Sequence, residues 1–291
     1  MISIWILCRL VQPTHLERAS LSLLIRKYDS FQIGRGRVCL FAGMKRWPNS
    51  SPPEGIHLWV CRGLLSPRLD DALNFLAPEE QERARRFRFE TDRRRYLGGV
   101  LLQRLILAYY LSCPFQELSF SRNKWGKPSL DRKHDSKIQF SLSRSHEVAI
   151  LAVTGESKVG VDLEYALGRN SRDLSMRRQF TEEEQGFIEN ASDSRKAFFE
   201  IWARKEAYLK GIGRGLTHPL AEFDVTPSEV IAEMIVRDWS DDCPDESWRV
   251  RSLNLPLADY AVAIATTSRS PSLELFESDF DELFALSSRH F

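Results

Sequence analysis

Val159-Gly160-Val161-Asp162-Leu163-Glu164 is the stretch on which the reading of this chain turns. Apolar residues occupy alternate positions, which predicts a β-strand with Val159, Val161 and Leu163 on one face. Asp162 and Glu164 are two residues apart, so their carboxylates converge on the other face. An acidic pair beside apolar neighbours suits a hard divalent cation bound through oxygen. A solvated strand face carrying two acids is the plainer reading of the same pattern.

On the C-terminal side, Thr181 followed three positions later by Glu184 is a capping box that opens a helix. Phe198 to Lys210 is predicted to be a second helix, stopped by Gly211 and Gly213. Trp202, Glu206 and Lys210 lie four apart and share one face of it. They are either an ordinary helical Glu–Lys pair, worth about 0.3–0.5 kcal/mol, or a metal ligand or base (Glu206) beside a phosphate contact (Lys210). The glycines after Lys210 do not have the spacing of a Walker loop, and no strand precedes them. Phe223–Val225, Trp248–Leu253 and Tyr260–Ala265 read as closing strands.

On the N-terminal side, strands are predicted at Ile56–Val60, Ile138–Ser143 and Val148–Val153. Pro78 opens a helix to about Arg88, with Glu79, Glu80 and Glu82 against the positive end of its dipole. A longer helix covers Asp92 to Leu111, with Leu97, Leu101, Leu105 and Ala108 at spacings of three and four. Arg83, Arg85, Arg86, Arg88, Arg93, Arg94 and Arg95 crowd these two helices. Arginine clusters suit phosphate through bidentate contacts, whereas alternation with Glu82, Glu90 and Asp92 also fits a solvated helix face. Lys127 sits in the turn Trp125-Gly126-Lys127-Pro128, and Arg144 lies between Ser143 and Ser145.

Each half thus mixes helices and strands, which predicts an α+β fold of two packed lobes, residues 56–155 and 156–270. Residues 1–55 are basic, poor in acids and end in a Pro-rich linker, so they read as a poorly ordered extension, or as a start placed too early with Met44 as the first residue. Residues 271–291 read as an acidic tail, with at best a short amphipathic helix over 273–286. Forty-one Lys+Arg against 40 Asp+Glu give a net charge of +1, which argues against a nucleic-acid coat. The 5 cysteines are scattered and lack zinc spacing, as expected of free thiols in a reducing cytoplasm. No apolar run is long enough to span a membrane. No Ser/His/Asp nucleophile is legible, and the histidines show no metal spacing.

Taken in order, five segments resemble the 4'-phosphopantetheinyl transferase family, of the kind that activates surfactin-type peptide synthetases. They are Pro78-Glu79-Glu80-Gln81-Glu82-Arg83-Ala84-Arg85-Arg86-Phe87, Trp125-Gly126-Lys127-Pro128, Phe140-Ser141-Leu142-Ser143-Arg144-Ser145, Gly160-Val161-Asp162-Leu163-Glu164, and Trp202-Ala203-Arg204-Lys205-Glu206-Ala207-Tyr208-Leu209-Lys210. The resemblance spans roughly Ile56 to Thr267, and the last two segments are its most specific parts. It implies a monomer of two similar lobes related by a pseudo-twofold axis, with coenzyme A in the cleft between them. It implies transfer of the phosphopantetheine arm to a serine of an apo acyl or peptidyl carrier protein, with adenosine 3',5'-bisphosphate as the other product. Carried over by position, Asp162, Glu164 and Glu206 would ligate Mg²⁺. Lys210 would contact phosphate near the reacting centre, and Glu206 is the best local base. Arg83, Arg95, Lys127, Arg144 and Ser145 fall at coenzyme-contacting positions. Glu184 matches a segment that supplies a further acid in relatives, although its capping box explains it equally well. Arg144 stands where the family has a histidine, which keeps a cationic donor of different length and shape. Fatty-acid, polyketide and peptide-synthetase carriers all stay open as targets.

Two other functions fit parts of the sequence. A metal-dependent phosphodiesterase would use the same three carboxylates without a carrier protein. An RNA-binding module would use the arginines with stacking aromatics, against which the near-neutral charge and the paired acids argue.

Overall fold

Period-two alternation builds two β-sheets, and two long helices cover their outer faces. The computed structural model describes residues 38–40, 51–167, 175–227, 233–269, 271–281 and 283. The expected poorly ordered extension falls largely outside the described residues. In chain order the first half holds β1 (Val38–Leu40), β2 (Ile56–Arg62), α1 (Pro78–Arg85), α2 (Glu90–Leu111), β3 (Phe120–Arg122), β4 (Pro128–Leu130), β5 (Gln139–Ser145) and β6 (Val148–Thr154). The second holds β7 (Val159–Tyr165), α3 (Glu182–Asn190), α4 (Ser194–Ile212), β8 (Phe223–Asp224), β9 (Met234–Ile235), β10 (Arg237–Asp238), β11 (Arg249–Ser252), β12 (Tyr260–Thr266) and β13 (Leu273–Asp279).

The first sheet has the order β1-β13-β2-β6-β5 and the second β7-β12-β11-β9, while β3–β4 and β8–β10 form two small ladders. Trp59, Cys61, Leu151 and Val153 face α2 and meet Leu97, Leu101 and Leu105. The alternate residues Leu58, Val60 and Ile150 face the second sheet and meet Val161, Leu163 and Ile264. The outer face of the second sheet, through Val250, Ala263 and Ala265, packs on Phe198, Ile201 and Tyr208 of α4. The layers are therefore helix, sheet, sheet, helix, with a core shared between the sheets. Each Leu, Val or Ile buried this way contributes about 1.5–3 kcal/mol.

The mixed α+β expectation holds, and the predicted strands and helices form with ends shifted by a few residues. α4 starts earlier than predicted because the Asp193 side chain accepts the Lys196 N–H at 3.0 Å and caps it. The tail is the main correction. Leu273–Asp279 is a strand, not a helix, and it pairs in parallel with β2 and with β1. Leu273 and Leu275 point to the shared core and Phe276 to the other face of the sheet. The acidic residues that gave the segment an amphipathic look fall on both faces of this strand, Glu274 on the face of Phe276 and Glu277 and Asp279 on that of Leu273 and Leu275.

Each half also contains a buried glutamate paired with an arginine or lysine. Glu80, in the first turn of α1, accepts the Ala77 N–H at 3.1 Å and Arg104 Nε at 2.8 Å, and Arg104 Nη1 donates to the carbonyls of Phe115 and Leu118. Glu184, in the first turn of α3, accepts the Thr181 N–H at 3.0 Å and pairs with Lys205 Nζ at 2.8 Å, and Lys205 donates to the carbonyls of Leu220 and Phe223.

Candidate active site

Helix α4 lies on the face of β7 that carries Gly160, Asp162 and Glu164. A Cβ at position 160 would stand 1.9 Å from the Ala207 carbonyl oxygen, so glycine is what lets helix and strand close up. Further along the same strand face, Asp162 and Glu164 meet the side chains that α4 presents at Lys210 and Trp202. Lys210 Nζ donates to Asp162 Oδ1 at 2.5 Å and to Ser143 Oγ at 2.8 Å. Trp202 Nε1 donates to Glu164 Oε1, and Ser145 Oγ donates to Glu164 Oε2, both at 3.2 Å.

The electrostatics of this face are unbalanced. Burial first, and the charge of Asp162 second, push the Glu164 carboxyl up to about 7. The same two causes raise Glu206. Asp162 therefore acts on both glutamates, and Lys210 is the cation that opposes them. Asp162 Oδ2 is buried and has no hydrogen-bond partner, an arrangement that is costly unless a cation completes it. Three carboxylates are a hard oxygen donor set, which fits Mg²⁺. The carboxylates are not drawn into a closed cage: among the described residues no group of three His, Cys, Asp or Glu side chains forms one. Lys210 stands among them instead.

A cationic patch lies on the first half. The Arg83 and Arg144 guanidinium carbons sit 5.3 and 5.6 Å from the centre of the Tyr96 ring. Arg144 Nη1 donates to the Tyr96 carbonyl at 3.3 Å. A Cβ at Gly99 would lie 2.2 Å from Arg144 Cδ, so the stem of Arg144 occupies the space a side chain would take. Arg144 touches solvent but is crowded by protein, and that burial, with the like charge of Arg83, lowers its pKa. Among the described residues no carboxylate forms an ion pair with Arg83 or Arg144. Two neighbouring guanidiniums without a carboxylate partner suit an anion.

The other residues singled out by sequence are placed differently. Arg95 is pinned between Asp92, at 2.7 Å, and the His146 carbonyl, at 2.8 Å. Lys127 Nζ donates to the carbonyls of Gly211, at 2.7 Å, and Val159, at 3.3 Å. Its pKa falls to about 8 through burial, with Lys158 adding like charge. Lys127 thus caps the C-terminal end of α4 and ties the halves together, instead of offering an open phosphate donor. It borders a cavity of about 360 Å³, also lined by Trp125, Phe140 and Trp248, that does not include the three carboxylates. Ser145 turns its hydroxyl to Glu164. Glu184 belongs to the buried pair with Lys205 and not to this face. The Ser143 hydroxyl and the indole of Trp202 contact the acids of this face, although sequence reasoning left both without a role, and it gave Ser145 to the coenzyme. The alternation of Ser141, Ser143 and Ser145 was their only local signal.

Comparison with known proteins agrees with this geometry. Residues 158–265 match the 4'-phosphopantetheinyl transferase superfamily, and residues 65–158 match the family described as 4'-phosphopantetheinyl transferase, N-terminal. The chain is 34% identical over 193 residues to the 4'-phosphopantetheinyl transferase HetI of Nostoc sp., covering 64% of this chain and 81% of that one. It is 31% identical over 198 residues to a phosphopantetheinyl transferase of Thraustochytrium sp., covering 61% and 68% respectively. Against the L-aminoadipate-semialdehyde dehydrogenase-phosphopantetheinyl transferase of Homo sapiens it is 32% identical over 169 residues, 54% of this chain and 55% of that one. With the two family matches meeting at Lys158, at the threshold of the acidic strand, the chain is an enzyme of the 4'-phosphopantetheinyl transferase family.

Proposed function

We propose that the protein transfers the 4'-phosphopantetheine arm of coenzyme A to a serine hydroxyl of an apo carrier protein, with Mg²⁺ held by Asp162, Glu164 and Glu206. The observation that carries this reading is Asp162 Oδ2, buried and unpartnered among carboxylates whose charge Lys210 opposes. When bound, Mg²⁺ supplies positive charge against the charge that builds on the pyrophosphate oxygens. Arg83 and Arg144 hold a phosphate group of the coenzyme. Lys210, at the edge of the acids, contacts phosphate at the reacting end. Glu206 takes the serine proton. The serine oxygen bonds to the phosphorus that carries the pantetheine arm. The phosphorus–oxygen bond to adenosine 3',5'-bisphosphate breaks, and the bisphosphate leaves.

The protein's two halves act in this reading as similar lobes about a pseudo-twofold axis, with the coenzyme between them. The repeated Glu80–Arg104 and Glu184–Lys205 arrangements support that symmetry. The test is chromatography of the nucleotide product from coenzyme A and Mg²⁺, with and without an apo carrier protein. Adenosine 3',5'-bisphosphate is expected only when the carrier is present. Equal release without a carrier would instead identify a phosphodiesterase.

A further inference from the structure

β5 and β7 belong to different sheets, yet three side chains stitch them together. Ser141, Ser143 and Ser145 alternate along β5, and their hydroxyls accept the backbone N–H groups of Val161 at 3.1 Å, Leu163 at 3.3 Å and Tyr165 at 3.0 Å. The hydroxyls take the place of a partner strand along that edge of β7. Their second contacts differ. Ser143 Oγ accepts from both Leu163 N–H and Lys210 Nζ, so its two acceptor positions are filled. Its one proton has a single destination, Asp162 Oδ1, at 2.8 Å. Oδ1 is thus fixed by two donors, Ser143 and Lys210, and Oδ2 is the oxygen left without a partner. Ser141 bonds the seam but, among the described residues, hydrogen-bonds no carboxylate.

From this we infer that Ser143 is a positioning residue of the transfer site: its hydroxyl, held in the serine ladder, turns Asp162 so that Oδ2 faces the metal position. The inference rests on the metal reading above. A group that orients a ligand carboxylate acts on metal affinity and turnover, not on coenzyme recognition. Ser141 supplies the internal control, because Ser141→Ala and Ser143→Ala each orphan one N–H of β7 and differ in the contacts that Ser143 alone of the two makes, to Asp162 Oδ1 and Lys210 Nζ.

The experiment compares the full-length wild type and both variants by thermal unfolding, by calorimetric titration with Mg²⁺, and by steady-state carrier loading. Both variants are expected to lose similar thermal stability. Ser143→Ala should bind Mg²⁺ about tenfold more weakly and lose kcat to a similar extent, as orienting groups typically do, with the KM for coenzyme A unchanged. Ser141→Ala should keep the Mg²⁺ affinity and kcat of the wild type. Equal Mg²⁺ affinity and kcat in the two variants would overturn the inference and leave the metal reading standing. A wild type that binds no Mg²⁺ would overturn both.

Discussion

Glu80 with Arg104, and Glu184 with Lys205, are one device built twice. In each half a glutamate in the first turn of a short helix folds back on the N-cap backbone. It pairs with a buried base on the following long helix, and that base spends further N–H groups on two carbonyls of the next segment. The halves diverge one residue later. Arg104 is followed by Leu105, which joins the core, and Lys205 by Glu206, which faces the acids. The strands diverge in the same way. β2 turns Trp59 and Cys61 towards its helix, whereas β7 turns Gly160, Asp162 and Glu164 towards α4. The buried pair recurs in both halves, and the residues beside it differ: apolar in the first, acidic in the second. The first half keeps its charge on the outside, as the Arg83–Arg144 pair.

The largest effect should come from breaking the device. Lys205→Met leaves Glu184 buried without its cation, and Arg104→Met does the same to Glu80. Each should cost about 3–5 kcal/mol in urea unfolding. Replacing both partners, as in Glu184→Leu with Lys205→Met, should recover much of the loss. A Lys205→Met protein as stable as the wild type would mean that the pair does not hold the second half.

The next effect sharpens the contrast in chemistry. Asp162→Ala, Glu164→Ala and Glu206→Ala should each lower carrier loading about a hundredfold, equivalent to about 2.7 kcal/mol of barrier, while unfolding stays cooperative. Near wild-type loading by all three would remove the chemical role from the second half. On the first half, Arg144→Ala should weaken coenzyme A binding by about 1–3 kcal/mol for a lost charge-assisted contact. It should affect 3'-dephospho-coenzyme A far less if the group it holds is the 3'-phosphate. Equal losses for both coenzymes in a calorimetric titration would reject that assignment.

A further effect is on the pH dependence of stability. The Glu164 carboxyl lies at about 7 in the folded protein against 4.5 ordinarily, so between those values the folded state binds more protons than the unfolded one. Its contribution to stability therefore falls as pH rises through that window. With divalent cations removed, Tm should decline from about pH 5 to pH 7, and Glu164→Gln should flatten that decline. An unchanged slope in the variant would place the titrating group elsewhere.

Much of this was legible because it is local. The acidic strand, the capping box at Thr181 and the face shared by Trp202, Glu206 and Lys210 all follow from spacings within a few residues. Other parts needed partners remote in sequence. Leu273-Glu274-Leu275-Phe276-Glu277 satisfies either period until Ile56–Arg62 is available to pair with it. Lys205 reads as one more charge in Arg204-Lys205-Glu206 until Glu184 and the carbonyls of Leu220 and Phe223 surround it. The three serines of β5 read as polar alternation until the edge of β7 supplies N–H groups to bond. Lys127 sits in a motif that points to the coenzyme, and only the end of α4 shows where its ammonium is spent.

The most direct test of the account is the intact mass of an apo carrier protein after incubation with this enzyme, coenzyme A and Mg²⁺, repeated after chelation of the metal. The expected result is a gain of one phosphopantetheine arm on a single serine, abolished by the chelator and restored by added Mg²⁺. A carrier whose mass never changes would contradict the transfer, and a gain that persists through chelation would contradict the metal role given to Asp162, Glu164 and Glu206.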